Sequence, residues 1–163
     1  MKKYLIAILL LAALENCSAQ IFKIKKAVAF YSISIPGMAH TDINGNRINP
    51  KPITERQIYF ETNYKSKPNI DSILYNGIAY TGTLDTVKDT IITVGINSKT
   101  GKPIILIPQK GNSVWVINLN QPTNEVDLSN TSINTIILKC KLGKNTIKQV
   151  ITKEVQLNTP DRY

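Results

Sequence analysis

Cysteine is nearly missing from this 163-residue chain, which has only Cys17 and Cys140. Histidine occurs once, as His40, and Arg47, Arg56 and Arg162 are the only arginines among 20 basic residues. Each scarcity excludes something. If Cys17 leaves with a leader, Cys140 stands alone and no intramolecular disulfide can form, so stability has to come from burial. A catalytic thiol needs a basic neighbour, and nothing in the sequence links Cys140 to the lone His40. Lysine in place of arginine argues against nucleic acid as a partner, because base and phosphate readers favour the planar guanidinium fork.

The chain also lacks an apolar run long enough to cross a membrane. Its longest, Tyr4 to Leu14, falls short of the roughly 20 residues that a transmembrane helix requires. That run follows Lys2 and Lys3 and precedes a short polar segment, the order of a cleaved export signal. Cleavage after Ala19 places Cys17 and Ala19 at the positions that must be small. The competing reading, lipidation of Cys17, has Glu15 and Asn16 where a lipoprotein signal wants small or apolar residues. Residues 1–19 therefore read as a signal peptide and 20–163 as one domain, in the periplasm or secreted. Only a lipid on Cys17 would anchor it to a membrane. That domain has 144 residues, 18 basic and 10 acidic, for a net charge of +8.

What the domain does contain is strand after strand. Short β-branched and aromatic runs alternate with Gly, Pro, Asn and Asp, and helical spacing of apolar residues is almost absent. In "ERQIYFETNY" Ile58, Phe60, Thr62 and Tyr64 share one face, and Gln57, Tyr59, Glu61 and Asn63 the other. Asn76-Gly77, between two apolar runs, predicts a type I′ hairpin, and "GKN" at 143–145 predicts a second. Cys140 shares a face with Leu138 and Leu142, opposite Lys139 and Lys141, which makes it a small core residue. Alternation is lost in "IITV" and "IILI", which predicts strands covered on both faces. About eight strands at regular spacing point to an all-β, immunoglobulin-like β-sandwich.

Several motifs approach known chemistry and stop short. Asp42, Asn44 and Asn46 match the first positions of a calcium loop, but Arg47 stands where glycine belongs and Ile53 where a bidentate glutamate belongs. "NGN" therefore reads as a turn. "GINSKTGK", residues 95–102, has five residues between its glycines where a phosphate loop has four, and it joins two strands, so it too reads as a hairpin loop. "KTG" at 99–101 has no Ser-x-x-Lys partner motif. His40 and Asp42, two apart, form no coherent base or metal pair. No catalytic residue, metal ligand or cofactor is assigned.

The aromatics offer one alternative. Tyr59, Tyr75, Tyr80 and Trp115 lie on or beside predicted strands, and a row of exposed rings could stack on sugar faces. Against this, Trp115 shares a face with Ile117 and Leu119, as a core residue would.

The segments "KPITERQIYFETNYKSKPNIDSILYNGIAY" and "KGNSVWVINL", with a leader ending in "SAQ", resemble small, uncharacterised exported proteins of the Bacteroidota. The resemblance implies a β-rich envelope or secreted domain and supplies no active-site residues. The expectation is a non-enzymatic exported sandwich that binds or supports an envelope protein or glycan. A carbohydrate-binding module is the alternative, and a small hydrolase comes third.

Overall fold

The computed structural model describes residues 22–34, 40–41, 43–45, 47–48, 51–120 and 135–159. The expected signal peptide with Cys17, and also Asp42 and Asn46, lie outside the described residues. No helix occurs among those described. Thirteen strands run in order: β1 (Ile24–Ser34), β2 (His40–Thr41), β3 (Arg47–Ile48), β4 (Ile53–Thr62), β5 (Asn69–Tyr75), β6 (Ile78–Tyr80) and β7 (Gly82–Val87). After these come β8 (Ile92–Ile96), β9 (Pro103–Leu106), β10 (Ser113–Leu119), β11 (Ile136–Leu142), β12 (Asn145–Ile151) and β13 (Glu154–Gln156).

Nine of them build two principal sheets, ordered β13-β1-β4-β10-β7 and β12-β11-β5-β6. All pairings are antiparallel except that of β1 with β13, which is parallel. The count exceeds eight for local reasons. The segment after Asp71 makes three strands, since β6 ends at Tyr80 and β7 joins the other sheet. The last segment divides at Thr152-Lys153, where the chain leaves β12 and crosses to the edge of β1. β2 and β3 pair around a turn with Gly45 at φ 81°, the turn expected of "NGN".

Period-two patterning places the core. Ala29, Ile58, Phe60, Trp115 and Ile117 from the first sheet meet Ile73, Tyr75, Tyr80, Ile136, Leu138, Cys140 and Ile151 from the second, with Phe22 closing one end. Burial of each large side chain contributes about 1.5–3 kcal/mol. Cys140 is fully buried, as its spacing predicts, and its apolar surroundings push the thiol up to about 12. Both predicted hairpins form. Tyr75 pairs with Ile78 across Asn76 and Gly77, both at positive φ, and Leu142 pairs with Asn145 across Gly143-Lys144.

Trp115 fixes one end of this core. Its indole Nε1 donates to Thr62 Oγ1 at 3.0 Å, and the Thr62 hydroxyl donates to the Tyr64 carbonyl at 2.9 Å, so the one polar atom of the largest buried side chain is satisfied. Because the core is continuous across both sheets, Ile117→Ala should cost about 2–5 kcal/mol in urea unfolding. Ile91→Ala, on an exposed position, should change stability by no more than about 0.5 kcal/mol.

Candidate functional site

Between β7 and β10 the chain makes an excursion, residues 88–112, that carries the β8–β9 hairpin. Its tip is locally determined. Asn97 Oδ1 accepts from the amides of Lys99 and Thr100, and the Asn97 carbonyl accepts from Gly101, which sits at φ 66°. This is the hairpin loop that "GINSKTGK" predicts. The hairpin is tied to the sandwich through the C-terminal segment: Ser98 N donates to the Gln156 carbonyl, Asn158 N to Ile96, and Leu157 N to Tyr31.

Register assigns its two faces. Ile92 opposes Leu106 and Thr93 opposes Ile105, while Val94 is skipped by a bulge so that Ile96 opposes Pro103. Ile92 is buried, as are Phe30 and Val114 on the outer side of the first sheet, and all three lie outside the main core. By the same register Ile105 and Ile96 lie on the opposite face, and further exposed isoleucines flank them in sequence. Ile91 is 62% exposed, Ile96 47%, Ile105 50% and Ile107 70%. The expectation that "IITV" and "IILI" are covered on both faces is therefore corrected: a two-stranded ribbon lying outside a sheet buries one side only.

Where the excursion returns, a shallow pocket is lined by Val28, Tyr59, Leu106, Ile107, Pro108 and Val114 among others. The space open to water-sized molecules is only about 20 Å³, room for a water and far below a small-molecule site. Glu61 pins the return. Its buried carboxylate accepts from Gln109 N at 2.8 Å and Asn112 Nδ2 at 2.6 Å.

A second polar cluster lies between the sheets at the opposite end. Glu154 Oε2 accepts from the Tyr75 hydroxyl at 2.7 Å, and Oε1 lies 3.5 Å from Arg56 Nε. The Arg56 guanidinium sits 4.6 Å from the Tyr75 ring centre and 6.0 Å from that of Tyr31. The Glu154 side chain is 1% exposed, and its burial raises the carboxyl above the ordinary range, opposed by the Tyr75 hydrogen bond and the Arg56 charge. Burial, then the carboxylate partner, pushes the Tyr75 hydroxyl up as well. These contacts join β4, β5 and β13.

The predicted ring row does not form. Tyr75, Tyr80 and Trp115 point inward and are buried. Only Tyr59 faces outward, half-buried, edge-on to Phe30 with centroids 5.8 Å apart, and burial raises its hydroxyl pKa. The physical reason is area: each ring is worth more between two sheets than on a face in water. The exposed isoleucines were not singled out by the sequence, because continuous apolar runs look alike whether covered once or twice. The Arg56–Glu154 pair spans 98 positions and leaves no local signal. Among the described residues no group of three or more His, Cys, Asp or Glu converges as a metal site, and no helix is long and apolar enough to cross a membrane.

No protein-family model, curated protein or solved structure matches the chain.

The inter-sheet ion pair carries a pH signature. Arg56→Met removes the cation 3.5 Å from a buried carboxylate, which should cost about 3–5 kcal/mol at neutral pH. Losing the cation raises the carboxyl further, so this penalty exists above the ordinary glutamate pKa of about 4.3 and fades as pH falls and Glu154 takes up a proton. Thermal unfolding of wild type and variant from neutral to acid pH should show the gap narrowing, and a constant gap would assign the loss to packing alone.

Proposed function

We propose that this chain is an exported, non-enzymatic, immunoglobulin-like β-sandwich that binds another envelope component on the outward face of its β8–β9 hairpin. The observation that carries this reading is the exposure of four isoleucines along one ribbon, Ile91, Ile96, Ile105 and Ile107, of which Ile96 and Ile105 lie on the face away from Ile92. Single exposed apolar residues are ordinary, whereas a cluster on an element added to a scaffold is the usual form of a contact surface.

The immunoglobulin-like description is supported by strand order. With β13 and the two short hairpins set aside, β1-β4-β10-β7 faces β12-β11-β5-β6. Numbered through the eight remaining strands, that is first-second-sixth-fifth against eighth-seventh-third-fourth, the order of an ABED sheet facing GFC with one added C′ strand. The β8–β9 excursion then occupies the D–E connection, and β13 extends the sheet beyond A. Export is supported by the leader, with Lys2 and Lys3, the apolar block and "CSA" before Gln20. The non-enzymatic reading is supported by where the reactive groups sit: the thiol of Cys140 in the core, Glu154 between the sheets and Glu61 committed to a loop.

Capture from envelope fractions tests this on two variants. A component retained by wild type and by Lys99→Glu/Lys102→Glu, but lost from Ile91→Ser/Ile105→Ser/Ile107→Ser, is the expected result. All three substitutions are at exposed positions, so folding should persist. An unchanged set of retained components after the isoleucine substitutions would overturn the assignment.

A further inference from the structure

The topology gathers lysines at one pole of the sandwich. Ile24 of β1 and Ser113 of β10 both pair with Thr62 at the end of β4, Val87 at the end of β7 pairs with Val114, and Lys141 of β11 pairs with Asn69 at the start of β5. One end therefore holds the head of β1, the β4–β5 link, both ends of the 88–112 excursion and the β11–β12 turn. The first two of these carry Lys23, Lys25, Lys26, Lys65 and Lys67, all exposed. The others add Lys88, Lys110, Lys141 and Lys144, exposed as well.

Little at this pole opposes them. Glu61 is buried and committed to Gln109 and Asn112. Asp71 is matched by Lys141 at 2.7 Å, a contact that together with Lys139 holds the Asp71 carboxyl below its usual range. Asp85 and Asp89 are the remaining acidic residues near it among the described ones. At the opposite pole Arg56 is matched by Glu154, and the exposed lysines there include Lys51, Lys99, Lys102 and Lys153, fewer than at the first pole.

We infer that this lysine pole docks onto an anionic lipid surface. Two observations favour lipid over a discrete anion. The lysines come from separate segments and spread over a whole end of the sandwich, with Lys26 alone among them at the shallow apolar pocket already described. They are lysines, compact charges suited to a diffuse field and poor at the bidentate grip that defines a single phosphate or carboxylate site. Ile91 and Ile107 lie three residues from Lys88 and Lys110 of this pole, so the test changes only lysines away from the excursion and its failure is separate from failure of the isoleucine assignment.

Sedimentation of the full chain with vesicles of phosphatidylcholine, alone or mixed with phosphatidylglycerol, tests the proposal. Partition through residues 4–14 is common to both vesicle types, so the readout is the preference for the anionic ones. That preference should be clear at low salt and decline as the screening length shortens. Lys67→Glu/Lys144→Glu should reduce it by about tenfold or more, while Lys99→Glu/Lys102→Glu, an equal change of charge at the hairpin tip, should leave most of it. Lys67→Gln/Lys144→Gln should fall between, and far-ultraviolet circular dichroism checks that each variant folds. Equal loss from the two glutamate pairs would overturn the proposal in favour of net charge alone. Retention of soluble dextran sulfate with no preference for anionic vesicles would overturn it in favour of a soluble polyanion.

Discussion

Everything in this protein depends on two sheets staying face to face without a covalent link. Cys140 is buried and alone among the described cysteines, so the interface has to be apolar across its middle, and most polar groups that enter it meet a partner, the Tyr80 hydroxyl being an exception. Both conditions shape the residues that meet there. Trp115 brings a donor into the core and Thr62 accepts it. At the other end the carboxylate of Glu154 is met by the Tyr75 hydroxyl from the facing sheet and by Arg56 from its own. An unpaired group at either place would cost about 1–3 kcal/mol, more for a charge, a large part of what a domain of this size has in reserve.

This constraint also explains why the reactive chemistry of the chain is turned inward. A carboxylate that joins three strands and one that pins a loop are structural necessities in a domain without disulfides, and a thiol raised by burial behaves as a small apolar residue. What is left for the outside is shape, apolar area and lysine. The surfaces that recognise partners are consequently elements added to the sandwich or gathered at its end, which is where insertions are tolerated and where function is commonly grafted.

Much of the sandwich is legible in the sequence because period-two alternation carries it. "ERQIYFETNY" divides its residues between core and outside as the structure does, with Ile58, Phe60 and Thr62 buried, and the two-residue turns at Asn76-Gly77 and Gly143-Lys144 follow from backbone conformations that few residues adopt. The sheet change at Thr152-Lys153 is not legible, since "TIKQVITKEVQL" keeps strand character throughout and only the tertiary path divides it. Nor are the exposed isoleucines, because a continuous apolar run reports strand propensity without reporting how many neighbours cover it. Tyr75 and Tyr80 mislead for a related reason: a tyrosine in a strand suits either face, and inside the core Tyr75 meets Glu154 and Arg56, which arrive from distant parts of the chain, while Tyr80 packs on the Tyr75 ring.

The C-terminal segment connects these levels. β13 carries Glu154 into the ion pair with Arg56, and within the next four residues the same backbone accepts from Ser98 and donates to the carbonyls of Ile96 and Tyr31. The Thr159 hydroxyl then donates to the carbonyl of Ile33, which closes the segment against β1. A short strand with few pairing partners would ordinarily fray at a chain end. Here it is held because a buried charge at its first residue cannot leave without exposing Arg56 and Tyr75 to an incomplete environment. The hairpin takes its place on the sandwich from that same strand, so the orientation of the apolar face is set indirectly by an ion pair at the far end of the core.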